Sequence, residues 1–480
     1  MPSVAHDVGG GSLVSRCERV YAALDAAVAR AGVADAEATR VPGFPYLRTN
    51  RFLASFGEQP LDGTQARAWV DAMMELDRDG RLVEIENLPV PDTRDLLVEA
   101  RAAGFPDLAP SALLQGCSDA LRERDFADGA ALTRLRAAAV VPDDYDTWKR
   151  VVGLYEFTRV PFAAGVGKWQ DETRATFATP VAELPVVGRL ERYTIEGPGV
   201  SRAAAKQMLA AARGANPLGI VNPADLEPLV AAYAPVFEVD TAADTDRVGR
   251  PTLDADGAPR VDAGRPAIFV RITQTRYGGA SLTQLVYTVW FPARPLKGAL
   301  DLLGGNLDAV IWRVTLADDG EPLVFDTIHG CGCYHLWFPT PRATLRPQAP
   351  SLDEIALVAQ TLPRIGPEDR MVVRIASGTH YVERVIVEPR SDPSTAMPLP
   401  PASEDALRRL PMRTGGSRSL FGPDGIVAGS ERGERWLFWP MGVREPGAMR
   451  QWGRHATAFS GRRHFDEARL VERYFELELR

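Results

Sequence analysis

From Cys17 to Gly32 the apolar residues Val20, Leu24 and Val28 recur at four-residue steps, with Ala27 and Ala31 beside them. That spacing predicts an amphipathic helix that stops at Gly32. The stretch GTQARAWVDAMMELDRDG repeats the pattern, with Trp69, Met73 and Leu76 on one face, and predicts a helix closing at Gly80. Further helices are expected at 93–103, 111–126, 130–140, 144–155, 202–213 and 224–233. The connections between them carry Pro and Gly, as in VPGFPYL and NLPVPD.

The character changes near Pro235. RPAIFVRITQTRYGGASLTQLVYTVWFPARP reads as two β-rich runs around Gly278-Gly279, a strong hairpin signal. A second hairpin turns at Asp318-Asp319-Gly320, and LDADGAPRVD and FGPDGIVAG carry similar turns. RMVVRIASGTHYVERVIVEPR supplies two more strands and ERWLFWPMG one more, while the closing FDEARLVERYFELEL returns to helical spacing, with Leu470, Tyr474 and Leu477 on one side.

Helices segregated from hairpins predict an α+β fold: a mainly helical N-terminal half, an antiparallel β-rich C-terminal half and a terminal helix. The expected organisation is a flexible segment at 1–18, a helical region at 19–235, a β-rich region at 236–390, and a Pro-rich linker with an Arg/Trp-rich segment at 391–480.

Composition narrows the partners. The chain has 480 residues, 45% hydrophobic and 25% charged, with net charge −8. Those values fit a globular protein of more than one packed unit and give no general attraction to nucleic acid. No apolar run approaches the ~18 residues of a membrane helix, so no transmembrane segment is expected. The N-terminus lacks the basic and apolar regions of a signal peptide, which makes the cytoplasm the default. Cys17 after LVSR faintly resembles a lipoprotein attachment site, which keeps an exported or lipid-anchored mature form open.

Four cysteines in 480 residues do not read as a disulfide framework, and Cys17 and Cys117 read as small buried hydrophobes in helices. The other two sit in TIHGCGCYHLWFP, where His329, Cys331, Cys333 and His335 fall within seven residues. On a flat strand the outer pair would lie ~20 Å apart, too far for one ion. Positive φ at Gly330 and Gly332 would bend the segment and bring the sulfurs together. Thiolates and imidazoles with few carboxylates nearby prefer zinc or copper. A strained disulfide across the Cys-x-Cys pair, or simple packing of two small thiols, would read the same.

His380 opens the strand HYVERVIV and is the expected further ligand or proton-transfer group, with His455 and His464 as other sources of imidazole. Between Arg432 and His464, seven Arg stand against two Glu among Trp436, Trp439 and Trp452, which suits a small anionic ligand held by Arg454, His455, Arg462, Arg463 and His464. Around a Gly-rich bend, Tyr155, Glu156, Arg159, Trp169, Asp171 and Glu172 gather, most simply as helix-end charges. Asp254 and Asp256 begin like a calcium loop, but Arg265 stands where the closing Glu belongs. No nucleophile elbow, Walker A loop or HExxH is present. The expected function is therefore a soft-metal protein using the Cys/His turn, with metal catalysis as its extension. The alternative is a non-catalytic interaction or envelope-associated protein whose Cys-x-Cys turn is structural or redox-active.

Overall fold

A computed structural model describes residues 12–105, 109–197, 199–298, 301–349, 351–391 and 395–479. The Gly-rich start and residues 392–394 of the Pro-rich linker lie outside these ranges. The fold is α+β, with helices in the N-terminal half and mostly antiparallel strands in the C-terminal half. Contacts divide the chain into two compact units, residues 1–142 with 408–425 and residues 143–407 with 426–480. The change of character at Pro235 falls inside the second unit.

In the first unit the helix Leu13–Ala31 starts on the Ser12 side chain and ends at Gly32 in the left-handed conformation. It buries Val20, Leu24, Ala27 and Val28, the stripe that the spacing foretold. Its Cys17 is not a lone hydrophobe: a disulfide joins it to Cys117 on the helix Pro110–Asp125. That corrects the reading of both residues, and it leaves the Cys17 sulfur unavailable for a lipid thioether.

The helix beginning at Gly63 does not close at Gly80 but runs to Asn87. Gly80 serves packing instead. A Cβ there would lie 2.5 Å from Nη1 of Arg48. Arg48 is fully buried and reaches Asp77 at 3.1 Å and Glu84 at 2.8 Å. Arg81 closes the network with bonds of 2.8 Å to Asp77 and to Asp25. Buried charges survive only when paired and hydrogen-bonded in this way.

The second unit contains a seven-stranded and a five-stranded sheet. In the larger, Ile268–Tyr277 and Ala280–Arg294 form the hairpin around Gly278-Gly279, with Tyr277 opposite Ala280. Gly305–Leu316 and Pro322–His329 follow as the second hairpin. The smaller sheet pairs Asp369–Ile375 with Val382–Pro389 antiparallel and with Val236–Thr241 in parallel. Phe237, Val373, Phe291 and Trp312 belong to one hydrophobic core, so the two sheets share it.

Four further expectations change. Tyr155–Ala178 is a helix through Pro161, Gly165 and Gly167 rather than a bend. Residues expected as one helix at 144–155 form only the short Thr147–Val152. Arg435–Phe438 is helical, not a strand. The terminal helix is Leu470–Tyr474, and Phe475–Leu477 leaves it to pair with Ala343–Leu345, because a strand edge there offers backbone partners that helical periodicity cannot reveal.

Candidate functional site

Alternation along the strand Pro322–His329 sends successive side chains to opposite faces of the sheet. Phe325 enters the core between the sheets, whereas Ile328 packs on the other side with Val286, Ile311, Trp452 and Phe465. His329 follows Phe325 and Thr327 onto the inner face. After it the chain reverses through Gly332, with φ 93°, and Tyr334, with φ 62°. A Cβ on Gly332 would come within 2.4 Å of the Ala456 carbonyl oxygen. Gly330 lacks the positive φ expected of it and instead allows close approach, since a Cβ there would sit 2.8 Å from that of Ala309.

The reversal sends the two histidines of the motif to different carboxylates. His335 Nε2 lies 2.9 Å from Asp326, which also accepts both Nε and Nη2 of Arg313. The Arg313 guanidinium stands 3.6 Å from the Phe465 ring centre, on the outer face. Burial lowers the His335 pKa to about 4 against the pull of Asp326, so this ring is neutral at neutral pH.

His329 faces a different group. Its Nδ1 is 3.5 Å from Oδ1 of Asp308, whose Oδ2 is 2.9 Å from Nδ1 of His380. His380 Nε2 in turn lies 3.4 Å from Asp246. These four residues form a chain, Asp246···His380···Asp308···His329. Each link is positioned locally. Asp246 accepts the amide hydrogens of Ala242, Ala243 and Gly378. His380 sits at a hairpin tip with φ 54° and stacks on Phe291 at 4.0 Å and 6°. Asp308 lies two residues from Val310, the register partner of His329, and therefore on the same face. Among the described residues five non-glycine residues have positive φ, and three of them, Leu307, Tyr334 and His380, touch or adjoin this chain. Such strain persists where surrounding contacts over-determine the backbone, commonly at functional sites.

Charge follows from the order of the links. Burial disfavours a charged His380, but the Asp246 and Asp308 carboxylates facing its two nitrogens outweigh it and raise its pKa. Burial would raise the Asp308 carboxyl, yet His329 and His380 hold it well below the ordinary range. His329 is lowered, because burial exceeds the help from Asp308. The shifts thus favour the ionised carboxylates of Asp246 and Asp308, the charged form of His380 and the neutral form of His329.

The far nitrogen of His329 is the free end. Nε2 is buried and has no hydrogen-bond partner. The ring borders a cavity of about 20 Å³ lined by Trp169, Thr173, Thr327, Tyr334, Tyr381 and Val382. That volume admits one water molecule. The rings of Tyr334 and Tyr381 lie 4.9 and 5.7 Å from the imidazole, and Arg294 donates to the Tyr381 hydroxyl at 3.2 Å. Trp169 and Thr173 come from the helix Tyr155–Ala178.

Cys331 and Cys333 are free thiols, and the Cys333 N–H donates to Cys331 Sγ at 3.4 Å. The contact with Cys331, together with burial, pushes the Cys333 thiol well above its usual range. Neither histidine of the motif joins them in the chains of contacts above. Among the described residues no three His, Cys, Asp or Glu side chains converge as a metal-holding group. No family model matches the chain, and no curated protein or solved structure matches it.

The Arg/Trp-rich segment works largely inward. Arg450 donates to the Cys331 carbonyl at 3.0 Å, and Arg463 donates to Thr457 and to the Glu354 carbonyl. Arg454 and His464 both lie 3.4 Å from Asp144, and Arg462 pairs with Asp143. His455 is buried, with Arg450 beside it, and burial lowers its pKa to about 3. Of the helix charges, Glu156 pairs with Arg159, Asp171 with Arg174 and Glu172 with Lys168 on the surface. Asp254 caps the turn of its hairpin, accepting from Asp256 and Ala258. Sequence reasoning missed Asp246, Asp308, Tyr334 and Tyr381. The usable signal was Asp308 at the mouth of the apolar run AVIWRV, since a carboxylate there needs a partner once buried.

Proposed function

We propose that the protein is an acid–base enzyme in which His329 Nε2 takes a proton from a water, or from a hydroxyl of a small substrate, beside Tyr334 and Tyr381. The observation that carries this reading is the unpartnered Nε2 of a buried imidazole whose other nitrogen faces Asp308. A neutral imidazole anchored through Nδ1 by a carboxylate is a general base, and the second histidine keeps that carboxylate ionised. Water so activated favours hydrolysis of small esters or amides as the reaction class.

Two measurements test it. With histidine selectively labelled with ¹⁵N, neutral pH should give His329 uncharged with its proton on Nδ1, and His380 charged. Hydrolysis of small p-nitrophenyl esters should fall by about 10²-fold or more in His329→Ala, the size of a typical general-base contribution. A charged His329, the opposite tautomer, or unchanged hydrolysis would remove the reading.

Soft-metal binding is a second reading, favoured by the Cys333 N–H on Cys331 Sγ, which folds both thiols into one bend. Zinc or copper would take two sulfurs there. Elemental analysis of the purified protein beside Cys331→Ser/Cys333→Ser decides it: equal metal content in the two preparations rejects the site.

A further inference from the structure

A hydroxyl that accepts from a buried cation and gives its own hydrogen to nothing is a donor kept ready, and the wall of the His329 cavity holds one. Tyr381 follows His380 at the hairpin tip, where its carbonyl accepts from the Ala376 amide and its own amide donates to the Thr379 hydroxyl. Its phenolic oxygen accepts a hydrogen from Nη2 of Arg294 at 3.2 Å. Among the described residues that hydroxyl donates to no protein group. Arg294 closes the strand Ala280–Arg294 and is 8% exposed. Its guanidinium lies 5.0 Å from the Tyr381 ring centre and 5.9 Å from that of Tyr334, and the two rings meet edge to face at 4.6 Å. Its charge reaches Asp308 and Glu434, yet among the described residues no ion pair joins either to it.

The cavity has a floor and a mouth. His329 and Thr327 are buried, whereas Trp169, Thr173, Tyr334 and Tyr381 are half-buried and reach solvent. A water on the floor meets the unpartnered Nε2, and a small molecule arrives from the side of the rings. Trp169 and Tyr334 lie 5.4 Å apart, so this mouth offers aromatic faces. The hydroxyls of Thr173 and Thr327 are engaged by the Trp169 and Ile311 carbonyls. Of the two hydroxyls left in the lining, those of Tyr334 and Tyr381, the second is the one that receives a hydrogen bond from a cation.

We propose that Tyr381 is the oxyanion donor of this site for small aryl esters, with Arg294 as its positioning residue, an inference that rests on His329 as the base. His329 Nε2 takes a proton from water as the water oxygen bonds to the carbonyl carbon, and the carbonyl π pair moves onto oxygen. The oxyanion so formed accepts the Tyr381 hydrogen. Collapse re-forms the C=O bond, breaks the bond to the leaving oxygen and returns the His329 proton to that oxygen. A hydroxyl that already accepts from a cation donates more strongly, because linked hydrogen bonds polarise one another. Held by Arg294, it needs no reorientation when charge develops, and a partly dry recess raises its worth over that of a donor in water.

One arm of the test needs no turnover. Phenyl methylphosphonate carries a stable tetrahedral anion like the one proposed, and calorimetry follows its binding to the full chain at neutral pH. The wild type should bind it. Tyr381→Phe, which removes the hydroxyl and keeps the ring, should bind at least about tenfold more weakly, the worth of one hydrogen bond to a charged group. His329→Ala should keep the affinity, because the imidazole acts on water. Arg294→Lys, which leaves a cation facing the hydroxyl, should keep more of it than Arg294→Met, and equal loss removes Arg294 from the assignment. With p-nitrophenyl acetate, Tyr381→Phe should lower kcat by about 10²-fold or more with KM little changed, the signature of a group that acts in the transition state. No phosphonate binding by the wild type, equal binding by Tyr381→Phe, or loss in His329→Ala alone overturns the proposal. If His329→Ala hydrolyses as the wild type does while phosphonate binding still requires Tyr381, the base reading falls and the anion donor stands.

Discussion

Breaking the Cys17–Cys117 bond should cost the first unit a large part of its stability. The two cysteines are 100 residues apart, and both are buried. Closing a loop of that length removes unfolded-state entropy worth about 4.7 kcal/mol at 25 °C in the chain-entropy model. Domains are stable by only ~5–15 kcal/mol, so the bond stands for a third or more of a typical total. The perturbation is Cys17→Ala/Cys117→Ala, chosen over Ser because a buried hydroxyl without a partner adds a penalty of ~1–3 kcal/mol. Urea unfolding followed by tryptophan fluorescence, with and without reductant, gives the difference, read on the transition that shifts. Reduced wild type and the double variant should unfold at similar, lower midpoints, and oxidised wild type higher. Thiol titration in denaturant supplies the control: two reactive thiols, Cys331 and Cys333, in the oxidised chain, and four after reduction. Four thiols in protein refolded in an oxidising glutathione buffer, or midpoints that do not move on reduction, would refute the reasoning.

Gly80→Ala reverses the usual helix rule. In an exposed helix interior the change stabilises by ~1 kcal/mol, but here the new Cβ meets an Arg48 guanidinium pinned by Asp77 and Glu84. A loss of ~1–3 kcal/mol in urea unfolding is expected from overpacking, and a gain would show that Arg48 is free to move. Acid should act through the buried imidazoles. His455, with a pKa lowered to about 3, and His335, lowered to about 4, bind protons more weakly folded than unfolded. Stability is therefore undiminished above the unfolded value of about 6.5 and falls as pH drops below it. At about pH 4.5 the His455 contribution is ~2–3 kcal/mol, and His455→Gln should flatten the pH dependence of the urea midpoint between 6.5 and 4; parallel profiles would exclude His455 as the cause.

Much of the fold was legible because it rests on local chemistry. Stripes such as Val20, Leu24 and Val28 need only the helical repeat, and Gly278-Gly279 and Asp319-Gly320 turn hairpins through backbone freedom that few other residues have. Those signals lie within one element, so the α+β arrangement followed from them. The helix Tyr155–Ala178 escaped because Pro161, Gly165 and Gly167 mask its periodicity, although nothing in its tertiary setting requires a break.

The site depended on relations that no local pattern carries. His329 and His335 are neighbours in sequence, but strand alternation and the reversal at Gly332 and Tyr334 give one to Asp308 and the other to Asp326. Asp246, Asp308 and His380 reach one another only because a helical turn, a strand start and a hairpin tip meet at one end of two sheets. The Cys17–Cys117 bond likewise follows from two helices packing side by side. Periodicity fixes which face of an element is apolar. Which distant polar group that face meets is decided by strand order and register, and the desolvation of buried charge then dictates that the partners be paired.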